Sequence, residues 1–175
     1  ETGKKEGILA LANVPSGETI EKLKKHFQKV RLWLLTLLIG CSALLVLDAT
    51  ILDLPIKVTA ATAGVAGSAT AALISCLNRR ANGFEGDDGN AYPDPTSKKE
   101  RFSSGMAEWL VTRPALGLFM GLLVHFGISG DVINFLPSNA NNSMVFWSAV
   151  VGLYSKTFYD LLLGFFKALT PGKDG

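Results

Sequence analysis

The feature that most constrains the fold of this chain is the gathering of its apolar residues into four nearly uninterrupted blocks. Hydrophobic residues fill 48% of the 175 positions, but they do not recur at the helical or strand spacing that an ordinary soluble domain shows. Each block is close to the roughly 20 residues that an α-helix needs to cross a bilayer. The sequence therefore predicts four transmembrane helices, at residues 32–52, 55–77, 110–128 and 144–166.

The spacing of these blocks predicts an all-α integral membrane protein with two antiparallel helical hairpins. Only Asp53 and Leu54 separate the first two spans, so these spans must form a tight hairpin. Because the sequence begins with Glu1 rather than Met, we expect an upstream region to be missing, removed or replaced. The predicted organisation is a flexible segment or linker at 1–15, an amphipathic interfacial helix at 16–31, a first hairpin at 32–77, a cytoplasmic loop at 78–109, a second hairpin at 110–169 and a cytoplasmic tail at 170–175.

The positions of Lys and Arg, more than the net charge of +2, predict the orientation in the membrane. Cations precede the first span, occupy the segment between the second and third spans, and follow the fourth span. Residues 129–143 contain neither Lys nor Arg. Because cytoplasmic segments carry the excess of these residues, we expect a multi-pass protein of the cell membrane with both termini in the cytoplasm.

Residues 16–31 have the pattern of a basic amphipathic helix. Ile20, Leu23, Phe27 and Val30 share one helical face, and charged residues occupy much of the remainder. Such a helix beside a span typically lies in the headgroup region, which is the interpretation we favour over binding of a cytosolic partner. The residues predicted to anchor the chain at the membrane interface are Lys24, Lys25, Arg31, Trp109 and Arg113.

Small residues recur at helical spacing in the second, third and fourth spans. Small side chains let helices approach closely in a membrane, where the hydrophobic drive between helices is missing. We therefore predict helix packing at these positions, although the hydroxyl groups among them could instead wet a pore. The predicted packing residues are Gly64, Gly67, Ser68, Gly117, Gly121 and Gly164.

Small, polar and charged residues recur at every fourth position of the fourth span, at Ser148, Gly152, Lys156, Asp160 and Gly164. We interpret this row as a single narrow helical face, which must meet protein or water rather than lipid. It is the candidate polar seam or pore of the molecule.

Two charged side chains of this row decide how the seam is interpreted. Lys156 lies about 16 Å along the helix from Lys167, so its ammonium cannot easily reach the cytoplasm. Asp160, one turn away, is the obvious partner for Lys156. Alternatively, Asp160 pairs with Arg113 and leaves Lys156 facing a wet cavity. His125 of the third span joins the candidate seam, either as a neutral imidazole bonded to a neighbouring helix or as a proton relay.

Acidic residues near the turns have structural interpretations. Asp48, Asp53 and Lys57 cluster at the first hairpin, where Asp53 can cap the second span; a cation vestibule is the alternative. The loop residues Asp87, Asp88, Asn90 and Asp94 do not match the spacing of a calcium loop.

Two segments of the third and fourth spans resemble a family. Residues 109–117, with the letters WLVTRPALG, and the run GLYSKTFYDLL from Gly152 resemble the third and last helices of a widespread bacterial four-helix membrane module. The resemblance covers about two-thirds of the chain and includes the small-residue row around Gly64. It implies a bacterial inner membrane, and it carries no activity with it.

These patterns lead to two expectations about function. The first is a non-enzymatic membrane assembly or anchor module, homo-oligomeric or bound to partner membrane subunits, in a sensing or effector system. The second is an oligomeric channel for small ions, lined by the polar face of the fourth span. The sequence has neither a nucleophile–base pair nor metal-ligand spacing nor a phosphate-binding glycine loop, so we expect no catalytic, cofactor or metal site. We expect the lipid bilayer to be the main partner of the chain, and we expect no nucleic-acid partner.

Overall fold

The chain is predominantly helical. A computed structural model describes residues 17–86, 91–93, 99–130 and 141–169, with the backbone alone for residues 141, 162 and 165–169. Helices take up 87% of the described residues, in agreement with the prediction of an all-α chain. The elements are α1 (Gly17–Leu47) with a π-helical turn (Asp48–Leu52), α2 (Ile56–Asn82), β1 (Phe84–Glu85), β2 (Ala91–Tyr92), α3 (Ser104–Ser129), α4 (Asn141–Leu153) and α5 (Ser155–Leu169).

Three of the described helices are long and apolar enough to cross a membrane, namely Gly17–Leu52, Ile56–Asn82 and Ser104–Ser129. By length and composition, the chain therefore has the helices of a membrane protein. The fourth predicted span differs from the prediction, because Tyr154 interrupts the helical geometry and divides the span into α4 and α5. Hydrogen bonds from Tyr154 N to Val150 O and from Phe158 N to Tyr154 O still join the two helices.

Several predictions fall on residues outside this description. They concern the segment 1–15, the tail 170–175, most of the connection 129–143, and the acidic loop residues Asp87, Asp88, Asn90 and Asp94. Within the described part, the chain forms two compact units. Unit 1 comprises Glu1–Leu35 and Ala72–Val111, and unit 2 comprises Thr36–Ala71 and Thr112–Gly175.

The core of unit 1 corrects the interpretation of the N-terminal helix. Leu23, Phe27 and Val30 are buried in one apolar cluster with residues of α2 and α3, so the protein itself covers the face that was predicted to enter the headgroup region. α1 continues from this amphipathic part without interruption to Leu47. The amphipathic pattern was interpreted correctly as a helix, but its apolar face packs inside unit 1.

An aromatic cluster and a short hairpin organise the remainder of unit 1. The ring of Phe102 meets those of Phe27 and Phe84 edge-on, at centroid distances of 5.4 and 6.2 Å. β1 and β2 pair antiparallel, with Phe84 opposite Tyr92. Phe102 N donates to Gly83 O at 3.1 Å, and Gly83 has a φ of +112° that favours glycine. The segment predicted as a loop at 78–109 is thus folded, in its described part, around buried phenylalanines.

In unit 2, the predicted tight turn between α1 and α2 is held by Asp48. Its Oδ1 accepts from Leu54 N at 2.6 Å, and its Oδ2 accepts from Thr59 Oγ1 at 2.7 Å. Asp53, the residue predicted to cap the second span, instead supplies a left-handed backbone with φ 46° and ψ 54°. The carboxylate five residues earlier, in the π-helical turn, therefore holds the connection through Leu54 N and the Thr59 hydroxyl.

Candidate functional site

The residues with the closest contacts in unit 2 are glycines of α2, α3 and α4. A Cβ atom added to Gly64 of α2 would overlap Gly117 O on α3. A Cβ atom added to Gly152 of α4 would overlap Gly64 O on α2. Since even a methyl group does not fit, α2 meets both neighbours backbone to backbone. Contacts of this kind supply the dispersion energy that holds membrane helices together.

Two more glycines extend this contact along α2. A Cβ atom on Gly121 would overlap Ala60 O, and one on Gly67 would overlap Ala149 O. We call Gly64, Gly67, Gly117, Gly121 and Gly152 the glycine contact. Gly164, which was predicted to pack with them, is exposed and has open space where a Cβ would stand.

Three buried serines form hydrogen bonds beside the glycine contact. Ser68 Oγ donates to Arg113 O at 2.8 Å and lies 3.2 Å from Ser155 Oγ. Because Ser68 has a single hydroxyl proton, the second bond requires Ser155 to donate to Ser68. Ser148 Oγ donates to Gly121 O at 3.5 Å. The hydroxyls therefore connect α2, α3, α4 and the first residue of α5.

The row of Ser148, Gly152, Lys156, Asp160 and Gly164 is not one face, and this corrects the sequence interpretation. Ser148 and Gly152 are buried, whereas the other three residues are exposed. An α-helix turns by about 100° per residue, so each step of four residues rotates by about 40°. Over four steps this rotation brings the row almost to the opposite side of the helix.

Ser155 is the residue that the sequence analysis missed. It is fully buried and follows Gly152 by three residues. Ser148, Gly152 and Ser155 therefore follow the 3.6-residue period of a helix, whereas a row of every fourth residue departs from it. A spacing of four and then three would have identified it. The buried polar seam of unit 2 consists of Ser68, Ser148 and Ser155, and the exposed Lys156 and Asp160 do not belong to it.

Neither of the ion pairs predicted for Asp160 is formed. Lys156 and Asp160 are both exposed, and no salt bridge joins them in the described part of the chain. Lys preceding Asp by four residues is the less favourable order for a pair on one helix. Arg113 does not reach Asp160 either: it is buried, and its Nε has no hydrogen-bond partner among the described residues.

His125 lies apart from the charged residues of α5. Its Nδ1 is 3.5 Å from Ser129 Oγ, one turn later on α3, and its ring has a tilted contact with Phe126. The inward positions of this part of α3 belong to Val124 and Ile128, which pack with Met144. The structure therefore gives His125 a partner on its own helix rather than a place in the polar seam.

The predicted interfacial anchors have different environments. Lys24 and Lys25 are exposed on α1, where Lys25 Nζ lies 3.7 Å from a Glu21 carboxylate oxygen. The guanidinium of Arg31 is 5.8 Å from the centroid of the Phe27 ring. Trp109 is half-buried, and Arg113 is buried rather than extended toward headgroups.

A pocket of about 210 Å³ lies beside the turn of unit 2, lined by residues that include Asp48, Asp53, Thr59 and Asn142. Both carboxylate oxygens of Asp48 already accept hydrogen bonds from the protein. The described residues contain no group of three or more side chains able to hold a metal ion. We therefore interpret the pocket as part of the structure of the turn between α1 and α2.

Comparison with known protein families, curated proteins and solved structures finds no match for this chain. The resemblance to a bacterial four-helix membrane module thus stays a prediction.

Proposed function

We propose that this protein is a non-enzymatic membrane module that anchors and assembles proteins in the bilayer. The observation that supports this function best is the glycine contact. The backbones of α2, α3 and α4 touch there. Ser68 and Ser155 share a hydrogen bond, and Ser68 and Ser148 donate to carbonyl oxygens of α3. Buried polar groups bonded in this way stabilise helix association.

The proposed topology has four crossings with both termini in the cytoplasm. α1, α2 and α3 each have the length and composition of a span. α4 and α5 together run from Asn141 to Leu169, which is long enough for the roughly 30 Å hydrocarbon core. The excess of Lys and Arg on one side of this arrangement supports the cytoplasmic placement of the termini.

The exposed surface of α5 supports a role in assembly. Lys156 and Asp160 are exposed on a helix that also exposes Leu161 and Phe158. Charged side chains within a membrane cost about 2.5–3.5 kcal/mol each on insertion scales unless they face protein or water. Association of the anchor with copies of itself or with partner membrane subunits would cover these charged side chains. Such an anchor would serve as a component of a sensing or effector system.

The second candidate function is an oligomeric ion channel. The same exposure of Lys156 and Asp160 favours it, because several copies could turn these side chains toward a common aqueous path. The two functions differ in what the charged residues face in the assembly, which is protein in the first and water in the second.

Recording from planar bilayers separates the two functions. The purified protein is compared with Lys156→Gln and with Lys29→Gln, a control at an exposed position of α1. For an assembly module we expect no current from any of the three, at a particle size that verifies intact oligomers. Currents whose ion selectivity changes with Lys156→Gln, but not with Lys29→Gln, would overturn the proposal and establish the channel.

A further inference from the structure

α5 exposes charged and apolar side chains together. Lys156, Asp160 and Leu161 are exposed on this helix. Leu161 is 67% exposed and Phe158 39%. In water these apolar side chains would be unfavourable, and in lipid the charged ones would be. Either environment leaves part of α5 in need of a protein surface.

The charges on this helix are self-complementary. Lys156 and Asp160 lie one turn apart, about 6 Å along the helix axis, and Gly164 follows one further turn on. A Cβ atom at Gly164 would meet no atom within 4 Å, so a neighbouring backbone has room to approach there. A surface with one cation and one anion is neutralised by a second copy of the same surface.

Building on the assembly function proposed above, we propose that α5 pairs with α5 of a second copy of this chain through two reciprocal ion pairs. Two copies in one membrane share their orientation, so a two-fold axis along the membrane normal places the helices parallel. Lys156 of each copy then reaches one turn along the partner helix to the partner's Asp160, a distance that the four-carbon lysine stem spans. Symmetry makes the second pair whenever the first forms.

This arrangement explains why Lys156 and Asp160 do not pair within one helix. The intrahelical pair has the less favourable residue order, and both side chains are exposed and accessible to an external partner. A pair removed from water on both sides costs desolvation energy, so the loss of either member leaves an uncompensated charge. The dimer is therefore sensitive to single substitutions and tolerant of changes that keep opposite charges opposed.

Charge exchange between two chains tests this pairing. Lys156→Asp gives a chain with two acids, and Asp160→Lys gives a chain with two lysines. Each variant alone should repel its own copies and associate at least roughly 30-fold more weakly than the wild type, since removal of one member of a buried pair costs about 2–5 kcal/mol. The two variants mixed in one membrane should form the heterodimer at near wild-type strength. Thr157→Ala, at an exposed neighbouring position, is the matched control.

The measurement is energy transfer between donor- and acceptor-labelled chains in liposomes, at increasing dilution in lipid. Recovery of association in the mixture shows that both variants fold, so it cannot arise from general destabilisation. Association that neither single variant weakens would overturn the pairing, and so would failure of the mixture to recover. Ion flux through the same liposomes tests the assembly function separately, because flux that depends on Lys156 contradicts that function whatever the association data show.

Discussion

At the scale of single residues, the packing of unit 2 depends on glycines, which have no Cβ atom. Gly64 lies between α3 and α4, and its neighbours Gly117 and Gly152 allow each carbonyl oxygen to approach the opposing backbone. The same residue type elsewhere has no such role, since Gly40 of α1 has nothing near its missing Cβ. The importance of a glycine in this chain is therefore set by what a methyl group would meet.

Gly64→Ala should destabilise the protein, whereas Gly40→Ala should not. The added methyl group at Gly64 would overlap Gly117 O, and overpacking of this kind costs about 1–3 kcal/mol. At Gly40, where no atom lies within 4 Å, the better helix propensity of alanine should raise the free energy of unfolding by up to about 1 kcal/mol. Titration of the purified variants with SDS in mixed micelles measures both changes. Equal effects at the two positions would contradict the close contact at Gly64.

The hydroxyl pair of Ser68 and Ser155 should show energetic coupling. Either serine replaced by alanine removes their shared hydrogen bond, and the second replacement then removes nothing further from it. Hydrogen bonds between membrane helices average about 0.6 kcal/mol in double-mutant cycles, so we expect a coupling energy near that value. The four unfolding free energies of the cycle give it directly. Ser42→Ala, at an exposed position, should show no coupling to Ser155→Ala.

At the scale of elements, the turn between α1 and α2 shows how far local sequence reasoning reaches. The interruption of the apolar run by Asp53 and Leu54 predicted the position of this turn, and the structure ends and restarts the helices at residues 52 and 56. The residue that holds the turn was not predictable in the same way. Asp48 lies in a π-helical turn and accepts from Leu54 N and Thr59 Oγ1, and nothing in the apolar pattern marks that turn.

Asp48→Ala should destabilise this turn, whereas Asp53→Gly should not. Without the Asp48 carboxylate, Leu54 N and Thr59 Oγ1 lose their acceptor, at a cost of about 1–3 kcal/mol. Asp53 has a φ of 46°, a conformation that glycine adopts without steric cost, so its replacement by glycine should be neutral or stabilising by up to about 1 kcal/mol. Hydrogen exchange at the start of α2 should rise for the first variant only. A loss of protection in Asp53→Gly would mean that the Asp53 side chain holds the turn after all.

Other elements depended on contacts that a linear pattern does not contain. The apolar face of the first half of α1 has the same periodicity whether it meets lipid or protein. Buried residues of distant segments, among them Phe84 and Phe102, decide that it meets protein. Similarly, the fourth apolar block contains no proline to mark the interruption at Tyr154. Composition and charge thus predicted the helices and their membrane character, while tertiary packing decided which faces are covered.

At the scale of the whole molecule, the proposed topology makes a sharp prediction about which surfaces each side of the membrane can reach. Single cysteines are introduced at exposed positions by Lys57→Cys, Tyr92→Cys and Gly130→Cys, with Cys41 and Cys76 replaced by alanine. A membrane-impermeant maleimide added to intact cells should label the first and third variants and leave the second unlabelled until the membrane is opened. This result is expected because the cationic segments stay in the cytoplasm.

The fourth crossing needs a separate test, because α4 and α5 are separate helices joined at Tyr154. A protease-sensitive tag after Gly175 should be protected in intact cells if the pair crosses together, since Gly130 is then outside and the tag inside. If the tag and Gly130 are reached from the same side, α4 and α5 do not cross together, and Lys156 and Asp160 have no lipid to avoid. The reciprocal pairing of α5 would then lose its physical reason, whereas the glycine contact of α2, α3 and α4 would still hold unit 2 together.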